Sequence, residues 1–210
     1  MSLIPKAFPV RINLLFLILA LVLFGVFLIR YNFTQDDAYI SFRHAANFIN
    51  GHGLVFNAGE RVEGYTNFLW IIFIITGLIA KINPLVLTKV IGIVSGTATL
   101  AAVFWFGWTL DRRQTAPDNY IPGLAVLFLA AFAPLAYWAI SGMESVTFAL
   151  LFLLAVGAYV RRSYSVTVFI ASTCLNASPT TFCFPPGSSR PLRPNGPFSF
   201  TTPFATITGR

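Results

Sequence analysis

Charge is what this sequence has least of. Asp, Glu, Lys and Arg together make up 10% of the 210 residues, against 56% hydrophobic residues, and the mean hydropathy is +0.74. A chain with so little polar surface cannot cover a water-soluble globule, so an integral membrane protein is expected. Cysteine is almost missing as well. Cys174 and Cys183 form neither a disulfide framework nor a metal-ligand spacing. The net charge of +7 comes from basic residues placed singly or in pairs at the ends of apolar runs. Topology explains that placement, and no nucleic-acid partner is expected. No internal repeat is visible, which argues against the repeated halves common in transporters.

What the sequence does have is long apolar runs. Lys6 and Arg11 precede residues 12–29, eighteen residues without a charge, enough to cross the ~30 Å hydrocarbon core. The run is too long for the apolar core of a cleavable signal and no small-x-small cleavage site follows. A signal anchor with a cytoplasmic N-terminus is expected, which puts residues 31–67 outside. Residues 68–80 are apolar but only thirteen, a length that suits a juxtamembrane helix better than a span. The next runs are 90–110, 120–140 and 146–160. The pairs Arg112-Arg113 and Arg161-Arg162 both fall in the cytoplasm only if residues 68–80 do not cross. The expected fold is therefore an all-α polytopic membrane protein with about four transmembrane helices, an outer juxtamembrane helix and a helical first extracytoplasmic loop. Pro122 and Pro134 are candidate kinks in the third span. Trp70, Trp105, Trp108 and Trp138 lie toward segment ends, as interfacial anchors do.

After about residue 164 the character changes. Residues 165–210 hold no Asp, Glu or Lys and seven of the thirteen prolines, with no helical or alternating period. The membrane domain is accordingly placed at 1–164, and 165–210 is expected to be an irregular low-complexity tail. Two origins are open for it: translation out of frame from near residue 165, the preferred reading, or a genuine disordered tail.

Four of the seven carboxylates, Asp36, Asp37, Glu60 and Glu63, lie in the polar stretch 31–67. Ala38, Phe42, Ala45, Ala46 and Ile49 recur there at helical spacing, and Gly51-His52-Gly53 is a stop signal. Residues 54–64 read as an irregular return that turns at Asn57-Ala58-Gly59. Asp36 and Asp37 thus open a short amphipathic helix at the membrane edge. Adjacent carboxylates there can ligate a divalent cation, act as a general base, or cap the helix. Arg43 follows on the same helix with His44 beside it, and His52, Glu60, Arg61 and Glu63 lie in the return. Carboxylate and guanidinium together at a lipid boundary suit a phosphate-bearing lipid substrate. The histidines are weaker candidates, since a lone histidine is more often a packing residue. Ser141-Gly142-Met143-Glu144, expected on the same side, fits a helix capping box. Glu144 is also an ionisable group close to membrane depth, where such groups tend to have a function.

The segments DDAYISFRHA from Asp36, GHGLVFNAGERVEGYTNFLW from Gly51 and SGMES from Ser141 give residues 10–164 a further meaning. Over that range the chain resembles the N-terminal part of bacterial GT-C-type polytopic membrane glycosyltransferases, similar to cell-envelope arabinofuranosyl- and mannosyltransferases. The resemblance implies a polyprenyl-phosphate sugar as donor, used on the extracytoplasmic face of the bacterial plasma (inner) membrane. The implied acceptor is a cell-envelope glycan, lipid or protein. It also implies inverting transfer with a first-loop Asp as base, Asp36 ahead of Asp37. Arg43, His52, Glu60, Arg61, Glu63 and Glu144 become candidates for substrate binding. A divalent cation, on Asp36 and Asp37 if anywhere, is the cofactor left open. Members of the group continue through further spans, from which this chain departs. The competing readings are a non-catalytic small membrane protein, such as a transporter subunit or assembly partner, and a non-functional truncated product. The acids cluster in an outer loop rather than at the midplane, which favours the enzyme lineage.

Overall fold

The computed structural model describes residues 8–60, 67–111 and 120–175, and all regular structure among them is α-helical. The elements are α1 (Phe8–Arg30), α2 (Asp36–Ile49), α3 (Phe68–Ile79), α4 (Pro84–Asp111), α5 (Ile121–Ala131), α6 (Ala133–Ile140), α7 (Ser145–Val160) and α8 (Tyr164–Leu175). Two are long and apolar enough to cross a membrane, over Val10–Arg30 and Pro84–Thr109, and α5 with α6 forms a third if a 59° bend is allowed within one span. The chain is a helical membrane protein with two or three such helices. The expected fourth, α7, has 16 residues and reaches only about 24 Å at 1.5 Å per residue. It cannot lengthen into Tyr164, because Arg162 takes φ +59° and reverses the chain. Ser163 N–H donates to the Ala158 carbonyl and Arg162 N–H to that of Tyr159, the paired bonds of a Schellman ending.

The two prolines act differently. Pro122 lies in the first turn of α5, where its missing N–H removes no helical bond. Pro134 lies in the first turn of α6; with no N–H to give the Ala130 carbonyl, and a ring that would clash with it, it cannot continue α5, and the span breaks at Phe132, which has ψ 89°. Beyond residue 164 the helix α8 runs to Leu175 along α7, so the first part of the stretch expected to be irregular is helical. Thr167 and Thr173 donate their hydroxyls to the carbonyls of Ser163 and Phe169, which lets such a sequence satisfy its polar groups within the helix. The proline-rich part lies outside the described residues.

Apolar surface is no driving force between helices in lipid, so close backbone approach and polar contacts carry the packing. Gly92 and Gly96 of α4 supply the first: the Ala139 carbonyl oxygen occupies the place of a Cβ at Gly92, and a Cβ at Gly96 would meet the Phe24 ring and the Ala139 Cβ. Around them lies a core of Ala20, Phe24, Leu100, Val126 and Ala136. Asn13 of α1, 1% exposed, supplies the second by accepting the Gly123 N–H at 2.9 Å. It satisfies one of the amides that the start of α5 cannot pair within itself. Ser95 and Thr147 join α4 to α7 at 2.9 Å. Asn13→Ala leaves that amide buried without its partner, so a loss of about 1–3 kcal/mol is expected. It would be read as an earlier midpoint in detergent-induced unfolding; an unchanged midpoint would remove Asn13 from the structural account.

These contacts fix direction. α1 and the α5–α6 pair run one way, α4 and α7 the other, so Arg30, residues 141–144 and the start of α2 share one end of the bundle. Arg11, Asp111, Arg161 and Arg162 share the opposite end. Arg112 and Arg113 lie outside the described residues. The short α3 packs on α2 at the first end, in a second apolar cluster of Ala38, Phe42, Ala45, Trp70, Ile71 and Ile74. With 12 residues it is too short to cross a bilayer unaided.

Candidate functional site

The helical spacing in the polar loop is realised as α2, which starts at Asp36 as the sequence suggests and ends at Ile49. Ala38, Phe42, Ala45 and Ala46 are its buried face. Gly51 takes φ +82°, and the N–H of His52 and of Gly51 return to the carbonyls of Asn47 and Phe48. That conformation suits glycine and ends the helix. The return then lies along α2. Asn47 Nδ2 donates to the Val55 and Phe56 carbonyls, each at 2.8 Å, and Arg43 Nε donates to Phe56 O at 3.2 Å. The turn at Asn57–Gly59 is present, with Glu60 N–H on the Asn57 carbonyl and Gly59 at φ +93°.

Asp36 and Asp37 are exposed in the first turn of α2. The capping position belongs to Gln35, whose side chain makes no capping bond, so neither Asp serves as the cap. Among the described residues no hydrogen bond or ion pair engages either carboxylate. Both are free to act on something outside the fold, and the positive end of the helix dipole favours negative charge there. Arg43 sits seven residues beyond Asp36, which returns it to the same face about 10 Å along the axis.

The start of α2 is tied to the turn before α7. Gln35 N–H donates to the Ser141 carbonyl at 2.8 Å. Gly142, at φ +86°, packs so closely that a Cβ there would lie 3.3 Å from the Ala38 Cβ. The capping box read from Ser141 and Glu144 does not form, because α7 begins at Ser145 and Glu144 itself stands in the capping position. Ser141 instead closes α6 with helical φ/ψ and gives its hydroxyl back to the Trp138 carbonyl, 2.8 Å away, and the left-handed turn at Gly142 separates it from α7. Glu144 is used elsewhere. Its carboxylate accepts from Asn67 Nδ2 at 3.0 Å, and the same amide reaches the Ser41 hydroxyl at 3.0 Å. Ser41 lies one turn along α2 from Asp37. Trp70, expected as an interfacial anchor, is 3% exposed and donates its indole N–H to the Gly142 carbonyl at 3.2 Å.

The remaining candidates separate into two groups. His44 is fully buried with Nδ1 2.9 Å from the Ile40 carbonyl, a packed histidine rather than a surface one. His52 is half-buried, and Glu60 is exposed with its carboxylate accepting from Asn57 Nδ2 at 3.0 Å. Arg61 and Glu63 lie outside the described residues. Asn67, Ser41 and Trp70 were missed as site residues by sequence reasoning. Asn67 directly before an apolar run signals a helix cap, yet its side chain makes no capping bond and bridges Ser41 and Glu144 instead.

No group of three or more His, Cys, Asp or Glu side chains that could hold a metal occurs among the described residues. The paired aspartates match the sparser mode of Mg²⁺, which takes one or two protein carboxylates and completes its shell with water and substrate phosphate. Beside Glu144 a cleft of about 50 Å³ opens between α3, α7 and α8, lined by Asn67, Trp70, Phe73, Thr147 and Leu151. That is far below the ~300 Å³ of an ordinary ligand pocket. The chain matches no family model, no curated protein and no solved structure.

Proposed function

We propose that this chain is the loop-bearing N-terminal portion of an inverting GT-C-type glycosyltransferase. It takes a sugar from a polyprenyl-phosphate donor and passes it to a cell-envelope acceptor at the extracytoplasmic face of a bacterial plasma membrane. One observation carries the reading: two adjacent carboxylates, Asp36 and Asp37, stand exposed and unengaged in the first turn of α2, at the end of a membrane bundle. In this scheme Asp36 takes the proton of the acceptor hydroxyl as its oxygen attacks the anomeric carbon. The bond from that carbon to the donor phosphate breaks on the opposite side, which inverts the configuration. Arg43, about 10 Å along the same face, leaves room for a sugar ring between base and guanidinium and meets the charge on the departing phosphate. Glu60 and His52 border the acceptor side, and Arg61 and Glu63, which follow Glu60 closely in sequence, remain candidates for substrate binding. Glu144, with Asn67, holds α2 in place against α7. A divalent cation held by Asp37 would neutralise charge on the leaving phosphate.

A non-catalytic assembly partner is the second reading, favoured by the small volume of the cleft beside Glu144. One assay separates the two. The full chain is placed in proteoliposomes with radiolabelled polyprenyl-phosphate arabinose or mannose and a cell-envelope acceptor extract. Label moving to the acceptor above protein-free vesicles supports the enzyme. Label remaining on the donor, together with no donor photocrosslinking to α2, overturns it.

A further inference from the structure

The end of the bundle away from the carboxylates holds a larger space. Phe106 and Thr109 of α4 and Leu153, Val156, Gly157, Val160 and Arg161 of α7 line a cleft of about 500 Å³. It falls within the ~300–1,000 Å³ typical of small-molecule sites. At one wall Gly157 lets α7 approach the Phe106 ring, which a Cβ would overlap. Its walls are apolar except at the mouth.

The mouth is cationic. Arg161 sits over the Trp105 ring, its guanidinium carbon 3.8 Å from the centroid. Stacking occupies the faces of a guanidinium and leaves its N–H groups, which lie in the plane, for oxygens. Among the described residues none of those N–H groups meets a carboxylate. Arg162 and Arg11 stand exposed at the same end, and Arg112-Arg113 follow α4 in sequence. Asp111, the last residue of α4, and Asp118 are the two acids in that part of the sequence, against five arginines: Arg11, Arg112, Arg113, Arg161 and Arg162. Tyr159 and Tyr164, 62% and 58% exposed, meet edge to face with centroids 6.0 Å apart, in the manner of side chains at a headgroup boundary.

We propose that this cleft binds an anionic phospholipid, with its acyl chain against Leu153, Val156 and Val160 and its phosphate on the Arg161 N–H groups. An apolar trough closed by a stacked arginine, with excess positive charge around it, complements an acyl chain ending in a phosphate and little else. A zwitterionic lipid would bring its own cation against Arg161, and a free phosphate would leave the trough unused. The site is at the opposite end from Asp36 and Asp37 and does not depend on the glycosyltransferase reading.

Native mass spectrometry of the full chain with added phosphatidylglycerol or phosphatidylcholine of equal chain length tests it. Phosphatidylglycerol should be retained preferentially. Arg161→Gln should weaken that retention about fivefold, as the loss of one basic contact predicts. Arg30→Gln, at the other end of the bundle, should leave it unchanged. Val156→Trp fills the trough without touching the charge and should expel the lipid, so the proposal can be tested even if Arg161→Gln fails to fold. Equal retention of the two lipids overturns the proposal. So does an equal loss in the Arg30 variant, or displacement by soluble glycerol phosphate as effective as by short-chain phosphatidylglycerol.

Discussion

Asp36→Asn is expected to lower sugar transfer from a polyprenyl-phosphate donor by about 10²–10⁴-fold, the span a positioned general base contributes. The substitution keeps size and shape and removes only the ability to accept a proton. Since the carboxylate is exposed and no described residue bonds to it, the fold should hardly register the change. Asp37→Asn separates the two roles open to the pair. If Asp37 holds a divalent cation, its variant should regain part of its rate as Mg²⁺ is raised, whereas the Asp36 variant should not. Steady-state rates for both variants across a Mg²⁺ series decide this. Transfer that survives in each single variant and in the double variant would remove the base from this loop.

Gly92→Leu is expected to be the most damaging single substitution for the fold. The Ala139 carbonyl oxygen fills the space a side chain would need, and backbone cannot move aside as the tip of a flexible side chain can. Overpacking of this kind costs about 1–3 kcal/mol and sometimes more; a whole isobutyl group set against a main-chain oxygen belongs at the upper end. The damage should travel. α6 leads directly into Ser141 and Gly142, which hold Gln35 and Trp70, so pushing α6 off α4 also loosens α2. Gly25→Leu is the control, because a Cβ at Gly25 meets nothing within 4 Å. Detergent-unfolding midpoints of the two variants should differ widely; similar values would mean that the α4–α6 approach is not what holds the bundle.

Features set by local pattern were legible in the sequence. The membrane class follows from the scarcity of charge, and α2 was readable at both ends because its apolar positions keep a helical period and Gly51 must turn left-handed to end it. The short α3 was legible from its length alone. What the sequence hid is set by partners far along the chain. Trp70 looks like an interfacial anchor until the Gly142 carbonyl, 72 residues away, is seen to accept its N–H. Glu144 reads as half of a capping box until Asn67, 77 residues away, is seen to donate to its carboxylate. The helix α8 was hidden by composition: its serines and threonines resemble loop residues until their hydroxyls are seen to bond inside the helix.

Gln35 and Asn67 stand near the two ends of the polar loop, and both are fastened to residues 141–144. The loop is therefore a closed handle whose roots do not depend on its rim being continuous. Opening the peptide chain at the Asn57–Gly59 turn would leave α2 still hung from Ser141 and α3 still held through Trp70 and Asn67. Two pieces divided there and expressed together are expected to associate through these contacts and to co-purify. The same rim is where a reporter could be spliced in to reveal which side of the membrane the carboxylates face.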